Sequence, residues 1–399
     1  MDPIKNPYTP GAGSQPPALT GRDVQIASFK ILVERLRIGR SEKSLMVIGL
    51  RGVGKTVLLN KFRDLAESAG FRTGQTEITH ETDFKAAIAR LARRIILSLD
   101  VKEKVRDAAW RAAGVLKAFT VKTPEGYELG LNVEALRGKA DSGIFSEDLT
   151  DLLVALGEAA KERGSGAIFL LDEVQFLAKE DFEALISAAH QVMQKSLPLA
   201  VVGAGLPQLP KLAGEAKSYA ERLFNFPLIG RLSPEDAKTA IEQPAHEQSI
   251  SYDPAATLAI IKFTQGYPYF LQEYGTHVWN IATGPKITAR DVAAAKANVL
   301  AQLDENFFRV RIDRATPAEK QYLAGMASLG SGPYKTSKIA GALRKSVTTV
   351  APIRSRLIGK GHIYAPSHAL TDFTVLMFDD YMRRNYPHAG GDKQPSRQK

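Results

Sequence analysis

Cysteine is absent from the 399 residues, and no apolar run approaches the length of a membrane span. Because the sequence has no cysteine, it can form no disulfide and can supply neither a thiolate metal ligand nor a thiol nucleophile. A spanning helix needs roughly 18 consecutive apolar residues, and the amino-terminal sequence has no basic stretch followed by an apolar one, as a secretory signal would. We therefore expect a cytoplasmic protein with no membrane partner.

The composition is that of a folded protein, with 44% hydrophobic and 24% charged residues, and the length predicts two or three domains. The net charge of +10 is concentrated rather than dispersed. The segment from Arg309 to Lys360 contains eleven Lys and Arg residues but only two acidic residues, Asp313 and Glu319. A local surplus of this kind indicates either a solvated face or a surface for an anionic partner.

The stretch LMVIGLRGVGKTVLLN at residues 45–60 joins an apolar strand to a helix through a glycine-rich loop. Its loop fits the P-loop pattern G-x-x-x-x-G-K-[ST], in which backbone N–H groups and the helix amino terminus bind phosphates. Lys55 is the predicted charge for the outer phosphates of ATP, and Thr56 is a predicted magnesium ligand. The predicted nucleotide-binding residues of this segment are Gly49, Arg51, Gly52, Val53, Gly54, Lys55, Thr56 and Val57.

A second apolar run, AIFLLDE at residues 167–173, ends in two acids. Ligands bind at the carboxyl ends of parallel strands in open α/β sheets, so the two acids are predicted to lie beside the P-loop. Asp172 is the predicted magnesium group, and Glu173 is the predicted base that orients and deprotonates water. The alternative is that both acids cap the helix that follows. The seven histidines show no pair at ligand spacing, so no other metal site is expected.

Strands alternating with helices predict a parallel sheet with helices on both faces. Further strands are predicted at 71–79, 199–205 and 224–232. The predicted fold class is α/β: a P-loop NTPase with a parallel sheet flanked by helices, followed by an all-α lid and a winged-helix domain. The predicted boundaries are an extended arm at 1–20, the ATPase domain at 21–232, the lid at 233–302, the winged helix at 303–387 and a disordered tail at 388–399.

An insertion of unassigned purpose is predicted within the ATPase domain at residues 101–143. It reads as a helix followed by a β-hairpin over residues 119–131, which turns at Pro124-Glu125-Gly126.

The predicted winged helix carries most of the localised positive charge. Its third helix, over residues 349–360, places Val350, Ile353 and Leu357 on one face, and Pro352 is predicted to fall in the first turn. If this helix enters a major groove, Thr349, Ser346 and Arg354 reach bases or phosphates. The predicted DNA contacts are Lys335, Lys338, Arg344, Lys345, Thr349, Arg354 and Lys360. The alternative is a lid or protein-docking module, because a fold does not determine a function.

The order of these parts resembles the AAA+ ATPases of the origin-recognition-initiator type and the related STAND ATPases. The entry segment PPALTGRD at residues 16–23 is similar to the family's adenine-binding segment, which implies a nucleotide contact for Arg22. The resemblance also implies an arginine finger near YAERLF at residues 219–224, for which Arg222 is the candidate. The turn Gly266-Tyr267-Pro268 is similar to the STAND motif in which a proline contacts the base or ribose, which assigns that role to Pro268.

Two departures from the family pattern favour a slow nucleotide switch over a motor. The polar residue expected at the end of the fourth strand is replaced by Gly203-Ala204-Gly205, with Gln208 as the nearest polar substitute, and no arginine sensor is evident in the lid. Arg222 acting in trans requires a homo-oligomer, and Arg222 acting in cis does not. A signalling role would require a separate effector protein. The alternative function is a DNA-binding regulatory, replication or mobile-element protein that uses ATP mainly as a structural cofactor.

Overall fold

The computed structural model of the protein describes residues 1–11, 13–99, 106–121 and 134–387. The chain forms two compact units. One, here called the sheet unit, consists of Gly21–Gly49 and Gly54–Ile229. The other, here called the helical unit, consists of Met1–Thr20, Leu50–Val53 and Gly230–Lys399. The second unit therefore includes the centre of the glycine-rich loop.

Five strands in the described part of the sheet unit form a parallel sheet in the order β2-β3-β4-β1-β5. Their bounds are Ser44–Ile48 (β1), Arg72–Glu77 (β2), Ala167–Asp172 (β3), Leu199–Gly205 (β4) and Phe224–Asn225 (β5). Every residue of β1, β3 and β4 is buried, as expected for parallel strands covered on both faces. The predicted fold class is confirmed for this unit. The fifth strand is much shorter than predicted, with one further bridge between Ile48 and Leu228.

Helices cover the strands because their apolar residues fall on one side. Phe29 and Phe62, for example, stack with ring centroids 4.3 Å apart. The helices are Asp23–Arg37 (α1), Lys55–Ser68 (α2), Phe84–Ser98 (α3), Arg106–Val121 (α4), Phe145–Glu162 (α5), Lys179–Gln194 (α6), Leu209–Ala216 (α7) and Ala220–Leu223 (α8).

The structure corrects the start of the predicted hairpin in the insertion. Phe119 is fully buried, and residues 119–121 form the last turn of helix α4 rather than a strand. The remainder of the predicted hairpin at 122–131, and the predicted tail at 388–399, lie outside the described residues.

The helical unit begins with Pro234–His246 (α9), whose cap is Ser233, as the sequence predicts. It continues through Pro254–Thr264 (α10), Pro268–Ile281 (α11), Ala289–Gln302 (α12) and Val310–Ile312 (α13), with a short parallel pair, Ser251–Tyr252 (β6) and Lys286–Ile287 (β7). A π-helix, Leu303–Arg309, joins α12 to α13. Such segments are rare in proteins overall, and where they occur they are often found at functional sites.

The carboxyl-terminal part contains three helices and a small antiparallel sheet. The helices are Pro317–Ala327 (α14), Thr336–Ala342 (α15) and Val347–Gly359 (α16), and a further helix, Phe378–Asn385 (α17), follows the sheet. The strands Tyr334–Lys335 (β8), Ile363–Tyr364 (β9) and Leu370–Phe373 (β10) pair in the order β8-β10-β9. Val350, Ile353 and Leu357 are buried on one face of α16, as predicted. Pro352 lies inside α16 rather than in its first turn, because the helix begins two residues earlier than expected.

The amino-terminal arm is packed rather than free. Tyr8 is only 4% exposed, and its hydroxyl contacts the Ile241 carbonyl at 2.6 Å and the Tyr252 hydroxyl at 2.7 Å. The side-chain amide of Asn6 donates to the Thr276 carbonyl at 3.1 Å. These bonds satisfy the polar groups of an otherwise irregular segment. Among the described residues, no helix combines the length and apolar character needed to cross a membrane.

Candidate functional site

The glycine-rich loop connects β1 to α2, as the motif predicts. Gly52 and Gly54 have φ angles of 82° and 91°, a left-handed region that glycine enters without a Cβ penalty. Gly54 is also the cap of α2, and Val57 lies in the first turn of this helix. The loop therefore delivers its backbone to the amino terminus of a helix, where anions are favoured.

Lys55 is held at this helix terminus with 6% of its surface exposed. Its ammonium donates to the Gly49 carbonyl at 3.1 Å, and the Gly49 N–H donates to the Gly205 carbonyl at 3.1 Å. The positive charge is thus positioned over the start of the loop by β1 and its neighbour β4. If a phosphate bound in the loop, the Lys55 ammonium could donate to a charged phosphate oxygen, which is a stronger acceptor than the Gly49 carbonyl.

Thr56 and Asp172 are brought together from α2 and the end of β3. The Thr56 hydroxyl donates to Asp172 Oδ2 at 2.6 Å. Burial raises the pKa of Asp172, and the Thr56 hydrogen bond opposes that shift. A hydroxyl and a carboxylate at this distance are the hard oxygen ligands that magnesium takes alongside phosphates and water. The pair therefore fits the predicted magnesium site.

Glu173 follows Asp172 in a left-handed backbone conformation, with φ 54° and ψ 39°. This conformation costs a residue with a Cβ about 1 to 2 kcal/mol, and it persists where surrounding contacts enforce it. Its N–H donates to Asp172 Oδ1 at 2.8 Å, and its carboxylate accepts from the Gln175 side-chain amide. The Glu173 carboxylate is therefore oriented by its neighbours rather than free to rotate.

Gln175 is the residue that sequence reasoning missed. Its side chain bonds the Glu173 carboxylate with one end, and at the other end its oxygen accepts from the Leu206 N–H at 3.0 Å. The expected polar substitute, Gln208, is instead the residue before α7, and its side-chain oxygen is buried without a hydrogen bond. The feature of the sequence that could have identified Gln175 is its position two residues after Glu173, close enough for its side chain to reach the Glu173 carboxylate.

Arg222 lies at the edge of the sheet opposite the glycine-rich loop. It belongs to α8, directly before β5, and β5 begins at Phe224, which pairs with Ser44 at the start of β1. The Lys43 ammonium donates to the Glu221 carbonyl at 3.1 Å, which places α8 at the same edge. The loop follows the other end of β1, about 16 Å along the strand. The exposed Arg222 therefore lies at the opposite end of β1 from its own loop.

The two residues predicted to contact the base occupy helix starts. Arg22 is 6% exposed, precedes α1, and donates from its guanidinium to the Gly21 carbonyl at 2.8 Å. Pro268 is the first residue of α11, where a proline's missing N–H costs nothing.

Tyr267, rather than Pro268, bonds the glycine-rich loop within the helical unit. Its hydroxyl donates to the Arg51 carbonyl, and the Arg51 N–H donates to the Thr374 carbonyl at 2.9 Å. The Tyr269 N–H donates to the Gly52 carbonyl at 3.3 Å. The backbone of residues 51 and 52 is therefore held by α11 and by the segment after β10.

Positive charge collects around Arg51 in the helical unit. Burial lowers the pKa of Arg311 to about 10, with the charge of Arg51 as the next cause. Burial and the Arg51 charge also lower the pKa of His362 to about 4. The Arg311 guanidinium stacks on the Phe307 ring at 3.9 Å, and Phe307 stacks on Tyr269. An anion bound at the loop would reduce the repulsion among these groups.

The predicted DNA contacts divide into two groups. Arg354 donates to the Thr371 hydroxyl at 2.7 Å and the Leu370 carbonyl at 2.8 Å. Lys360 donates to the buried Glu319 carboxylate at 2.8 Å. Both side chains therefore stabilise the fold. The remaining predicted contacts are exposed around α15 and the start of α16: Lys335, Lys338, Arg344, Lys345 and Thr349.

Among the residues that the structure describes, no cluster of three or more His, Cys, Asp or Glu side chains is arranged to hold a metal ion. The Thr56–Asp172 pair is thus a site of a different kind, which relies on ligands from the nucleotide and water as well as from the protein.

Comparisons with known families match residues 18–202 to a family described as "AAA ATPase domain". Residues 305–382 match a second family, described as "Domain of unknown function (DUF8462)". The first match spans the glycine-rich loop, Asp172 and Glu173. It confirms for this segment the resemblance stated from the sequence.

Two curated relatives are similar to this chain in sequence, and one solved structure is similar to it in fold. Origin recognition complex subunit 4 of Homo sapiens is 27% identical over 187 residues, or 46% of this chain and 36% of that protein. The Rattus norvegicus protein of the same name is 25% identical over 186 residues, with the same shares. The chain thus aligns with about a third of these relatives' length. The Walker-type ATPase paby2304 of Pyrococcus abyssi is similar in fold, with a TM-score of 0.55, 14% identity, and coverage of 92% of this chain and 97% of that chain.

Proposed function

We propose that this chain, whose residues 18–202 match the family described as "AAA ATPase domain", binds ATP with magnesium and hydrolyses it to ADP and phosphate as a slow nucleotide-dependent switch. The observation that carries the proposal is the contact between Thr56 and Asp172 at 2.6 Å, beside the buried Lys55 and the oriented Glu173. These groups come from α2 and β3, and together they supply the positive charge, metal ligands and base that phosphoryl transfer requires.

In this mechanism the loop and Lys55 bind the phosphates, and Thr56 with Asp172 would hold magnesium. Held there, magnesium would supply positive charge that offsets the charge developing on the phosphates. Glu173 orients a water molecule and accepts its proton as the water oxygen attacks the γ-phosphorus. The bond from that phosphorus to the ADP oxygen breaks, and ADP leaves with the electron pair. Glu173 has the geometry for this role because its carboxylate is held by Gln175.

The contacts of the loop centre support a switch over a motor. The backbone of Arg51 and Gly52 is bonded to Tyr267, Tyr269 and Thr374 in the helical unit. A change in loop conformation on nucleotide binding would have to break or rearrange these bonds, so nucleotide state and the conformation of the helical unit are coupled.

Phosphate release from ATP by the purified chain tests the proposal. We expect slow, magnesium-dependent release that stops when the metal is removed with a chelator, together with binding of a fluorescent ATP analogue. The proposal fails if the folded chain neither binds the analogue nor releases phosphate at high protein concentration.

We further propose that Arg222 acts between copies of the chain. Its position at the far edge of the sheet supports a role in trans, because it lies at the opposite end of β1 from its own loop. We expect specific activity to rise with protein concentration, and Arg222→Ala to lower it by roughly 10³-fold if Arg222 stabilises transferring charge. Adding Arg222→Ala chains to Glu173→Gln chains should restore part of the activity, because each supplies what the other lacks. Lys211→Ala, at an exposed lysine of the preceding helix α7, serves as the control. A flat activity per molecule with an unaffected Arg222→Ala variant contradicts this role.

The second candidate function is binding of double-stranded DNA through a winged helix in the carboxyl-terminal part. It is supported by the exposed basic residues around α15 and the start of α16, and by the name of the curated relatives, which are subunits of an origin recognition complex. A separate effector protein that docks on the same surface is the competing partner.

A shift assay with random duplex across a range of salt concentrations distinguishes DNA from a protein partner. We expect binding at about 50 mM salt that weakens steeply as salt rises, because each phosphate contact contributes about −0.9 to the slope of log K against log salt. Replacing Lys338 and Lys345 with alanine should weaken binding and lower the slope by about two. The control is alanine at Lys161 and Lys195, two exposed lysines of the sheet unit. No binding at low salt, or equal slopes for both double variants, contradicts this function.

A further inference from the structure

We infer that Gln175 is a positioning residue, which holds the Glu173 carboxylate in its working orientation and links it to the end of β4. This inference rests on the proposed function, because it assigns to Glu173 the role of base. The side chain of Gln175 bonds the Glu173 carboxylate and the Leu206 N–H, so it acts on the reaction through Glu173.

The contacts of Gln175 run across two neighbouring strands. It lies in the short turn Val174–Phe176 that follows β3, and β3 pairs in parallel with β4. Its amide nitrogen donates to Glu173 Oε2, and its amide oxygen accepts from the Leu206 N–H at 3.0 Å. Both the nitrogen and the oxygen of the side-chain amide therefore make a hydrogen bond. Because the amide is planar, either bond restricts the orientation in which the other can form.

The end of β4 is shaped to admit this side chain. A Cβ atom placed on Gly205 would lie 2.7 Å from Gln175 Oε1 and 3.1 Å from Leu209 Cδ2. Because such a contact is too close, glycine at 205 leaves the space that the amide of Gln175 fills. The polar group at the end of β4 is therefore the amide of Gln175, which belongs to the turn that follows β3. Any side chain at residue 205 would displace this amide.

The two hydrogen bonds of Gln175 connect the ends of β3 and β4, and they also affect the proposed base, Glu173. The Glu173 backbone is left-handed, and Gln175 bonds the one part of Glu173 that the backbone does not orient, its carboxylate. A displacement of Leu206 would be transmitted through a single amide to the proposed base. Gln175 therefore couples the position of β4 to water activation.

Replacement of Gln175 by alanine tests the role. We expect kcat to fall 10- to 100-fold, the cost of a misplaced catalytic group, while the dissociation constant for ATP changes less than twofold. Gln194→Ala, the same substitution at an exposed glutamine that ends α6, should leave kcat unchanged. A merely structural role would lower thermal stability without this split between kcat and ATP binding.

Two further variants keep the test decisive if Gln175→Ala is unstable. Gln175→Glu preserves size but places a second carboxylate beside Glu173, and repulsion between the two charges would turn the base out of its position. We expect kcat to fall as it does in Gln175→Ala. Gly205→Ala should lower kcat by crowding the Gln175 amide, and its effect should be nearly absent in the Gln175→Ala background.

The inference is overturned if wild-type protein hydrolyses ATP and the Gln175 variants match its kcat. It is also overturned if Gln208→Ala lowers kcat and Gln175→Ala does not, because the polar contact would then come from α7. A wild-type protein without ATPase activity contradicts the proposed function itself, which separates the two failures.

Discussion

Substituting Lys55 with alanine should weaken ATP binding roughly 10- to 100-fold. Lys55 is the one charged side chain of the loop that is buried at the start of α2, where its ammonium lies 3.1 Å from the Gly49 carbonyl. Charged hydrogen bonds of this kind contribute about 1.5–3 kcal/mol, and each 1.4 kcal/mol is a tenfold change in affinity. Titration with a fluorescent ATP analogue measures the loss directly.

Lys61→Ala is the matched control for this prediction. Lys61 lies on the same helix, α2, but is not part of the loop, so its removal takes away an equal charge at a similar cost in helix propensity. We expect its ATP affinity to stay within twofold of wild type. Tight binding retained in Lys55→Ala, with a normal thermal transition, would remove the loop from the nucleotide site.

Substituting Glu173 with glutamine should leave ATP bound but lower turnover by roughly 10²- to 10⁴-fold, the usual contribution of a general base. Glutamine has the size of glutamate and can still bond Gln175, so the left-handed turn at 173 is preserved. What is lost is the ability to accept the proton of water. Single-turnover phosphate release, measured beside ATP affinity, separates the chemical step from binding.

Glu180→Gln is the control for the chemical step. Glu180 is an exposed acid in the first turn of α6, and its neutralisation changes the net charge by the same amount. We expect its turnover to equal that of wild type. Undiminished phosphate release by Glu173→Gln would assign the base to another group and leave Glu173 as a residue of the turn after β3.

The local parts of the candidate site were predictable because their residues lie close together in the chain. The glycine-rich loop contains its own strand, turn and helix start, and the backbone angles of Gly52 and Gly54 follow from the motif. Asp172 and Glu173 end an apolar strand, which predicts their edge of the sheet. The contact between Thr56 and Asp172 joins the two segments as expected.

Some features depend on partners that are distant in the chain. Arg354 and Lys360, two of the predicted DNA contacts, also bond Thr371 and the buried Glu319. The predicted start of the hairpin is wrong: its residues have strand-forming side chains, yet Phe119 is packed in the core as part of a helix. There, tertiary packing overrides local preference.

By itself, then, the sequence determined the fold class, the P-loop and the acid pair, because each is specified by neighbouring residues and by the period of burial. Only the tertiary structure decided that Gln175 rather than Gln208 meets Glu173, and that Arg222 lies at the opposite end of β1 from its own loop. The reason is the order of strands: β3 lies beside β4 and β5 beside β1. Strand order and direction bring together groups that the chain separates, and no local pattern encodes them.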